Sequence, residues 1–204
     1  MIFQKYGACW YRMNIFDHSG KIQEFINSGI DCYAPKETYT YRGISSHRAK
    51  QIKDKHTFNI GGFKIMSFSL FHDTTCFGYL IFHKEIGLTL FATDTYKIPY
   101  NFGKINNFII EANYSFNILD ENILNGKLNE FVRNRVLKSH LSLEYLEDFF
   151  KRSDLSETRN IVLIHLSGGN SSPVGFKNRI EVLTGKKVFI ASKGLKIDIS
   201  EKLF

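Results

Sequence analysis

The stretch LTLFATDT, residues 88–95, shows the pattern on which the fold and site of this chain depend. Its apolar and β-branched residues are typical of a buried strand, and the run ends directly at Asp94. In sheets covered by helices, side chains just past the carboxyl ends of strands project into a common crevice. The stretch therefore predicts a strand that delivers a carboxylate to a functional site.

The same pattern recurs elsewhere in the chain, where short apolar runs end on groups that bind metals or move protons. MNIF ends at Asp17 and His18, SFSLF at His72 and Asp73, NFII at Glu111, and IVLI at His165. Singly, such a histidine is commonly structural and such an aspartate commonly forms a turn or caps a helix. Their repetition favours one shared site.

The chemistry of these groups narrows the class of site. They offer imidazole nitrogens and carboxylate oxygens but no thiolate, a set that favours zinc, manganese or iron in a hydrolytic role over a structural zinc site. A carboxylate that bridges two ions would suit phosphodiester cleavage, and we assign that position to Asp94.

Length and composition indicate one compact α/β domain over residues 1–204, with 43% hydrophobic residues to form its core. Three widely spaced cysteines, without a CxxC pair, support neither a disulfide framework nor a thiolate zinc site. The N-terminal residues lack the features of a signal peptide, and no apolar run approaches about 18 residues. A cytoplasmic protein with no membrane association is expected.

The charge of the chain indicates anionic partners. A formal charge of +7 attracts nucleic acid or a nucleotide, although the lysines and arginines are spread along the sequence. A solvated basic surface without a nucleic-acid role explains the charge equally well.

Strands and helices alternate in the predicted order, which indicates sheets covered by helices. Helices are predicted for Gly20 to Ser28, for 122–137, after the N-cap Ser142, and from Ser172 and Pro173 to Gly185. The predicted strands are 63–71, 77–82, 88–93, 107–110, 161–164, 187–191 and 195–199.

Several segments together resemble the metallo-β-lactamase fold, most closely the YycJ/WalJ-like and prophage-type small metallo-hydrolases. They are DHSGKIQEFINSGIDCYAPKET, the HD of SFSLFHD, FATDT, IIEANYS, SHLSLE and LIHLSGGN, in this order and spacing. The resemblance extends from about residue 11 to the C-terminus. It implies a four-layer αββα sandwich and a hydrolase that uses Zn²⁺ or Mn²⁺.

The resemblance also shows a departure in the metal-binding loop. In that family a strand ends in H-x-H-x-D-H, and the matching residues here are Met13, Asn14, Ile15, Phe16, Asp17 and His18. One metal site would then lose two histidines and keep only His72 and a share of Asp94. Isoleucine has no donor atom, and a thioether is a soft ligand poorly suited to a hydrolytic ion.

The second metal site that the resemblance implies is complete, with Asp17, His18, Asp94 and His165. One bound ion is therefore expected rather than two. By the same resemblance Asp17 would also orient the attacking water, and His140 would contact the scissile phosphate or protonate the leaving group. A structural histidine bonded to backbone is an equal alternative for His140, and Asn113 and Asn170 are either supporting hydrogen-bond residues or turn residues.

The N-terminus departs from the family as well, because only about ten residues, MIFQKYGACW, precede the metal-binding loop. The usual first β-hairpin is expected to be lacking, and an uncovered sheet edge would favour a homodimer. Three hypotheses follow: an active phosphodiesterase or nuclease-like enzyme, an inactive protein that binds nucleic acid or a protein partner, and a truncated gene product without present function.

Overall fold

The computed structural model describes the backbone of residues 2–3 and 8–10 and the whole of residues 20–201. The strands are β1 (Ile2–Phe3), β2 (Ala8–Trp10), β3 (Asp31–Pro35), β4 (Ala49–Ile52), β5 (Thr57–Ile60), β6 (Phe63–Ser69), β7 (Phe77–His83), β8 (Gly87–Ala92), β9 (Asn107–Glu111), β10 (Asn160–Ile164) and β11 (Lys187–Ile190). The helices are α1 (Ile22–Asn27), α2 (Lys36–Arg42), α3 (Phe116–Leu124), α4 (Glu130–Ser139), α5 (Leu143–Lys151) and α6 (Pro173–Thr184).

The strands form two sheets. The smaller has the order β1-β2-β3-β4, and the larger has the order β11-β10-β9-β8-β7-β6-β5. In the larger sheet β5 to β8 are antiparallel neighbours, whereas β8, β9, β10 and β11 run parallel. Parallel neighbours need crossover connections. Helices α3 to α5 lie in the connection from β9 to β10 and α6 in that from β10 to β11, whereas residues 93–106 connect β8 with β9 without a helix.

Three buried clusters show how the layers pack. Ile22, Ile26 and Tyr39 pack helices α1 and α2 against the smaller sheet. Ile52 and residues of β5, β6 and β7 fill the space between the two sheets, and helices α5 and α6 pack on the other face of the larger sheet. The chain is therefore an α/β protein with helix, sheet, sheet and helix layers, as predicted.

Because side chains alternate along β7, this one strand contributes residues to two of these clusters. Tyr79 and Ile81 face the smaller sheet, and Leu80 between them packs on the helix side. Because successive strand residues point to opposite faces, a strand that is apolar on both faces must lie between two layers. The nearly unbroken run FGYLIF is the sequence signal of that position.

The capping residues predicted from the sequence are confirmed. The Ser142 hydroxyl accepts a hydrogen bond from the Tyr145 amide at the start of α5, and Ser172 accepts one from the Gly175 amide at the start of α6. Gly185 ends α6 in the left-handed conformation, with a φ of 64°.

Two predicted elements are wrong. The single helix expected over 122–137 is divided into α3 and α4, because Gly126 takes a φ of 67° and Asn129 caps a new helix. Residues 195–199 form no strand, although their side chains alternate, since they have no hydrogen-bonded neighbour strand and Leu195 stays 42% exposed.

Other elements were not predicted. β3, β4, β5 and α2 lie in polar or proline-containing segments with little hydrophobic periodicity. In addition, the two- and three-residue strands β1 and β2 pair antiparallel, whereas the first β-hairpin was expected to be lacking.

Within the described residues, no helix has the length and apolar character needed to span a membrane. Cys32 and Cys76 are buried.

Candidate metal centre

The parallel strands of the larger sheet align three candidate site residues at one edge. Ala92 of β8 is in register with Ile110 of β9, and Glu111 is in register with Ile164 of β10. Asp94, Glu111 and His165 therefore emerge side by side at the carboxyl ends of adjacent strands, although the sequence separates them by up to 71 residues.

His140 reaches the same edge from the helical layer. It follows the last residue of α4, and the next residues return to the sheet because the Asn113 amide donates to Leu141 O and the Leu143 amide donates to Tyr114 O. These bonds fix residues 140–143 beside the continuation of β9. As a result His140 contacts Glu111.

The four side chains converge on one point. Asp94, Glu111, His140 and His165 each offer a ligand atom, and these atoms lie within 4.8 Å of one another. The Nδ1 atoms of His140 and His165 are both 2.8 Å from Oε1 of Glu111. His165 Nδ1 is also 3.2 Å from Oδ1 of Asp94.

Burial makes negative charge on this group costly in free energy. Asp94 is 2% exposed and Glu111 is fully buried, so both carboxylates lie away from solvent. Burial by itself would raise the pKa of Glu111, but hydrogen bonds from His140 and His165 outweigh it and hold the pKa below its ordinary value. The two hydrogen bonds thus favour the ionised form of Glu111.

Backbone conformation helps to aim two of the four residues. Asp94 and His165 have φ values of 55° and 58°, in the left-handed region that few non-glycine residues adopt. Asn113 supports the second of these turns, since its side-chain amide donates to the backbone carbonyl of His165 at 2.8 Å. The turns redirect the chain at the point where each strand ends.

Two threonines fix the carboxylates. The Thr93 hydroxyl donates to Oδ2 of Asp94 at 3.3 Å, and the Thr95 amide donates to Oε2 of Glu111 at 3.2 Å. The other oxygen of each carboxylate, Oδ1 of Asp94 and Oε1 of Glu111, contacts the histidines at the centre of the group. Such supporting bonds orient metal ligands in proteins.

His72 lies at the margin of the group. Its ring centroid is 6.4 Å from that of His140, and Nδ1 is bonded to the Asp73 carboxylate. Burial lowers the pKa of His72, an effect that the negative charges of Asp73 and Asp94 oppose. Asp17 and His18, with Met13 and Ile15, lie outside the described residues.

Glu111 is the site residue that sequence reasoning left without a role. Its position at the end of an apolar run was noted, and that strand-end signal identifies it in the same way as Asp94 and His165. The resemblance gave it no role, and only its contact with both histidines reveals its importance. Asn170 lies farther out and joins α3 to the loop after His165, since it accepts from the Asn122 side chain at 2.8 Å.

The residues present fit a divalent metal ion. Two buried carboxylates at one point require compensating positive charge, and imidazole nitrogens beside them complete a donor set suited to zinc or manganese. The convergence of the donor atoms within 4.8 Å meets the geometric requirement for a shared ion.

Comparison with known proteins identifies the fold. The chain is similar to the metallo-β-lactamase fold protein YhfI from Bacillus subtilis, with a TM-score of 0.66 and 14% identity over 92% of this chain and 76% of the other. It is also similar to Igni18, a metallo hydrolase from Ignicoccus hospitalis, with a TM-score of 0.62 and 14% identity over 93% and 78%. Human tRNase Z, short form, gives a TM-score of 0.58 and 14% identity over 95% and 79%.

No family model and no curated protein sequence matches the chain. The structural similarities nevertheless agree with the layer order and the sheet topology described above. The chain therefore has the metallo-β-lactamase fold.

Proposed function

We propose that this protein is a metal-dependent hydrolase that cleaves phosphodiester bonds in nucleic acid or nucleotides, of the YycJ/WalJ-like and prophage type. The observation that carries the proposal is the convergence of Asp94, Glu111, His140 and His165 at the carboxyl ends of parallel strands. Similarity in fold to a metallo hydrolase and to a tRNase Z supports it.

The residues divide into two kinds by their contacts. Asp94 and His165 would hold the ion, together with Asp17 and His18 of the preceding loop. His72 at the margin would belong to the other metal site that the resemblance implies, which lacks two of its histidines. Zn²⁺ or Mn²⁺ suits these donors, with one ion expected because Met13 and Ile15 offer none of the missing nitrogens. A bound divalent ion would supply Lewis-acid activation of water and of the phosphoryl group.

Glu111 and His140 form the second kind. Glu111 Oε1 contacts the Nδ1 atoms of His140 and His165, so it fixes the orientation of both rings as a positioning residue. With Nδ1 of His140 engaged in this way, its Nε2 is the atom that can carry a proton to the leaving oxygen. The His140 side chain is 23% exposed, which gives it contact with solvent or substrate.

Nucleic acid is the partner that the charges favour. Arg135 and Lys138 are exposed on α4, the helix that ends beside His140, and in the described part of the chain neither forms an ion pair. Such cations on the helix that leads to His140 would attract a phosphate backbone, in keeping with the net charge of +7.

The test measures metal content and hydrolysis on the same purified protein. Elemental mass spectrometry should find about one zinc or manganese ion per chain, and the loaded protein should hydrolyse bis(p-nitrophenyl) phosphate. Asp94→Asn should lose both, and asparagine is the suitable replacement because it tolerates the left-handed backbone at this position.

The matched control is Asp148→Asn, which removes an exposed carboxylate on α5 that pairs with Lys151 at the surface. It should retain the ion and the activity. Metal-loaded protein that hydrolyses no phosphodiester would refute the proposed function.

A second candidate is a protein that binds nucleic acid, or a protein partner, without cleaving it. Met13 and Ile15 favour it, because they remove two of the nitrogen donors that the resemblance implies. Under this alternative the chain binds DNA or RNA in a salt-sensitive way without hydrolysis. If the lost metal site alone limits catalysis, the double variant Met13→His with Ile15→His should raise activity sharply.

A further inference from the structure

Lys97 holds its ammonium group over two aromatic rings. Its Nζ lies 4.5 Å from the ring centroid of Phe71 and 5.5 Å from that of Tyr96. The two rings meet edge to face with centroids 5.9 Å apart. A cation in contact with two aromatic faces is held in place without losing its charge.

The loop that carries Lys97 is attached to the candidate metal centre. Thr95 is the connection, since its amide donates to Oε2 of Glu111 and its hydroxyl donates to Lys97 O at 2.8 Å. The same hydroxyl accepts from the Phe71 amide at 3.0 Å. Phe71 directly precedes His72, so both halves of the aromatic platform are continuous with residues at the site.

Chain geometry limits the distance between Lys97 and the site. Lys97 is three positions after Asp94, and three residue steps span at most about 11 Å between Cα atoms. A substrate larger than one phosphate group would extend over this distance.

The charge of Lys97 is available for binding. The residue is exposed, and in the part of the chain that the structure describes it forms no ion pair with a carboxylate. An ordered ammonium group without a carboxylate partner is a point-charge donor of the kind that binds phosphate.

We propose that Lys97 binds a phosphate group of the substrate adjacent to the one that is cleaved, with Phe71 and Tyr96 as its positioning residues. This inference rests on the proposed function and makes it more specific. It defines the substrate class as a phosphodiester that carries a second phosphate, such as a 5′-phosphorylated oligonucleotide.

The test compares two substrates with the same scissile bond. The thymidine dinucleotide TpT has one phosphate, and pTpT carries a second at its 5′ end. The metal-loaded protein should show a higher kcat/KM for pTpT, and Lys97→Ala should reduce this preference by about tenfold, mainly through KM, because a hydrogen bond to a charged group is lost. An unchanged preference in Lys97→Ala would overturn the proposal.

The control is Lys84→Ala. Lys84 lies in the turn between β7 and β8, at the end of the sheet opposite to Asp94. This variant has the same change in net charge and should keep the preference of the unmodified protein. A loss of preference in both variants would show that the preference for pTpT depends on net charge and not on Lys97, which also overturns the proposal.

A binding measurement separates this inference from the proposed function. Equilibrium dialysis with metal-loaded protein reports affinity for pTpT and TpT whether or not either is cleaved. If neither dinucleotide is hydrolysed, weaker pTpT binding by Lys97→Ala but not by Lys84→Ala still supports the phosphate site. Equal pTpT affinity in Lys97→Ala and the unmodified protein refutes it.

Discussion

The Glu111 carboxylate has no contact with solvent, yet it lies between two histidines and ends a strand that also forms the core. A buried carboxylate without partners would be costly, and hydrogen bonds from both rings remove that cost. The arrangement makes Glu111 the residue on which the orientation of His140 and His165 depends. Its effect on the metal should therefore be indirect.

Glu111→Gln should lower metal affinity by about 10- to 100-fold, the usual effect of losing a residue that orients ligands, rather than abolish binding. Competition with a chromogenic chelator measures this affinity. Glu121→Gln, which changes an exposed carboxylate on α3, serves as the control and should bind metal normally. Unaltered affinity in Glu111→Gln would show that the residue does not position the ligands.

Individual elements owe their stability to packing rather than to length. Helix α5 has only nine residues, but Leu143, Leu146, Phe149 and Phe150 on its inner face are buried. Phe108 of β9 meets Phe149 and Phe150 edge to face, with centroids 6.0 and 5.3 Å apart. This contact joins α5 to the strand that carries Glu111.

Phe108→Ala should reduce the free energy of unfolding by about 3–5 kcal/mol, since a large side chain that is 1% exposed leaves a cavity. Phe131→Ala is the matched control, because Phe131 on α4 is 80% exposed. It should change stability by no more than about 0.5 kcal/mol. Urea denaturation measures both, and equal losses would mean that the aromatic contact does not stabilise the fold.

The molecule as a whole should respond to acid through groups whose pKa values the fold lowers. His72 and Glu111 both have pKa values below their ordinary values of 6.5 and 4.5. The folded state then binds fewer protons than the unfolded state as the pH falls through this range. Their contribution to stability is present above the ordinary values and is lost as the pH decreases.

The free energy of unfolding of metal-free protein should therefore fall as the pH is lowered from 7 towards 4. His72→Gln should show a weaker dependence in the upper part of that range, near the ordinary pKa of a histidine. Chemical denaturation at a series of pH values measures the effect. A His72→Gln profile that coincides with that of the unmodified protein would contradict this prediction.

The sequence determined the α/β class, the caps of α5 and α6, and the strands of the larger sheet that end at Asp94, Glu111 and His165. These features depend on short stretches of sequence, because apolar runs, capping residues and turns involve only a few neighbouring residues. The same local signals failed where segments were polar, as in β4, or where alternation lacked a partner strand, as in 195–199.

Only the tertiary structure decided which groups meet. The register of β8, β9 and β10 places three strand ends side by side, and the return of residues 140–143 to the sheet adds His140. The tertiary structure also places the Lys97 ammonium over Phe71, 26 residues away in the chain. Contacts between distant segments are set by packing and strand pairing, which no local pattern specifies.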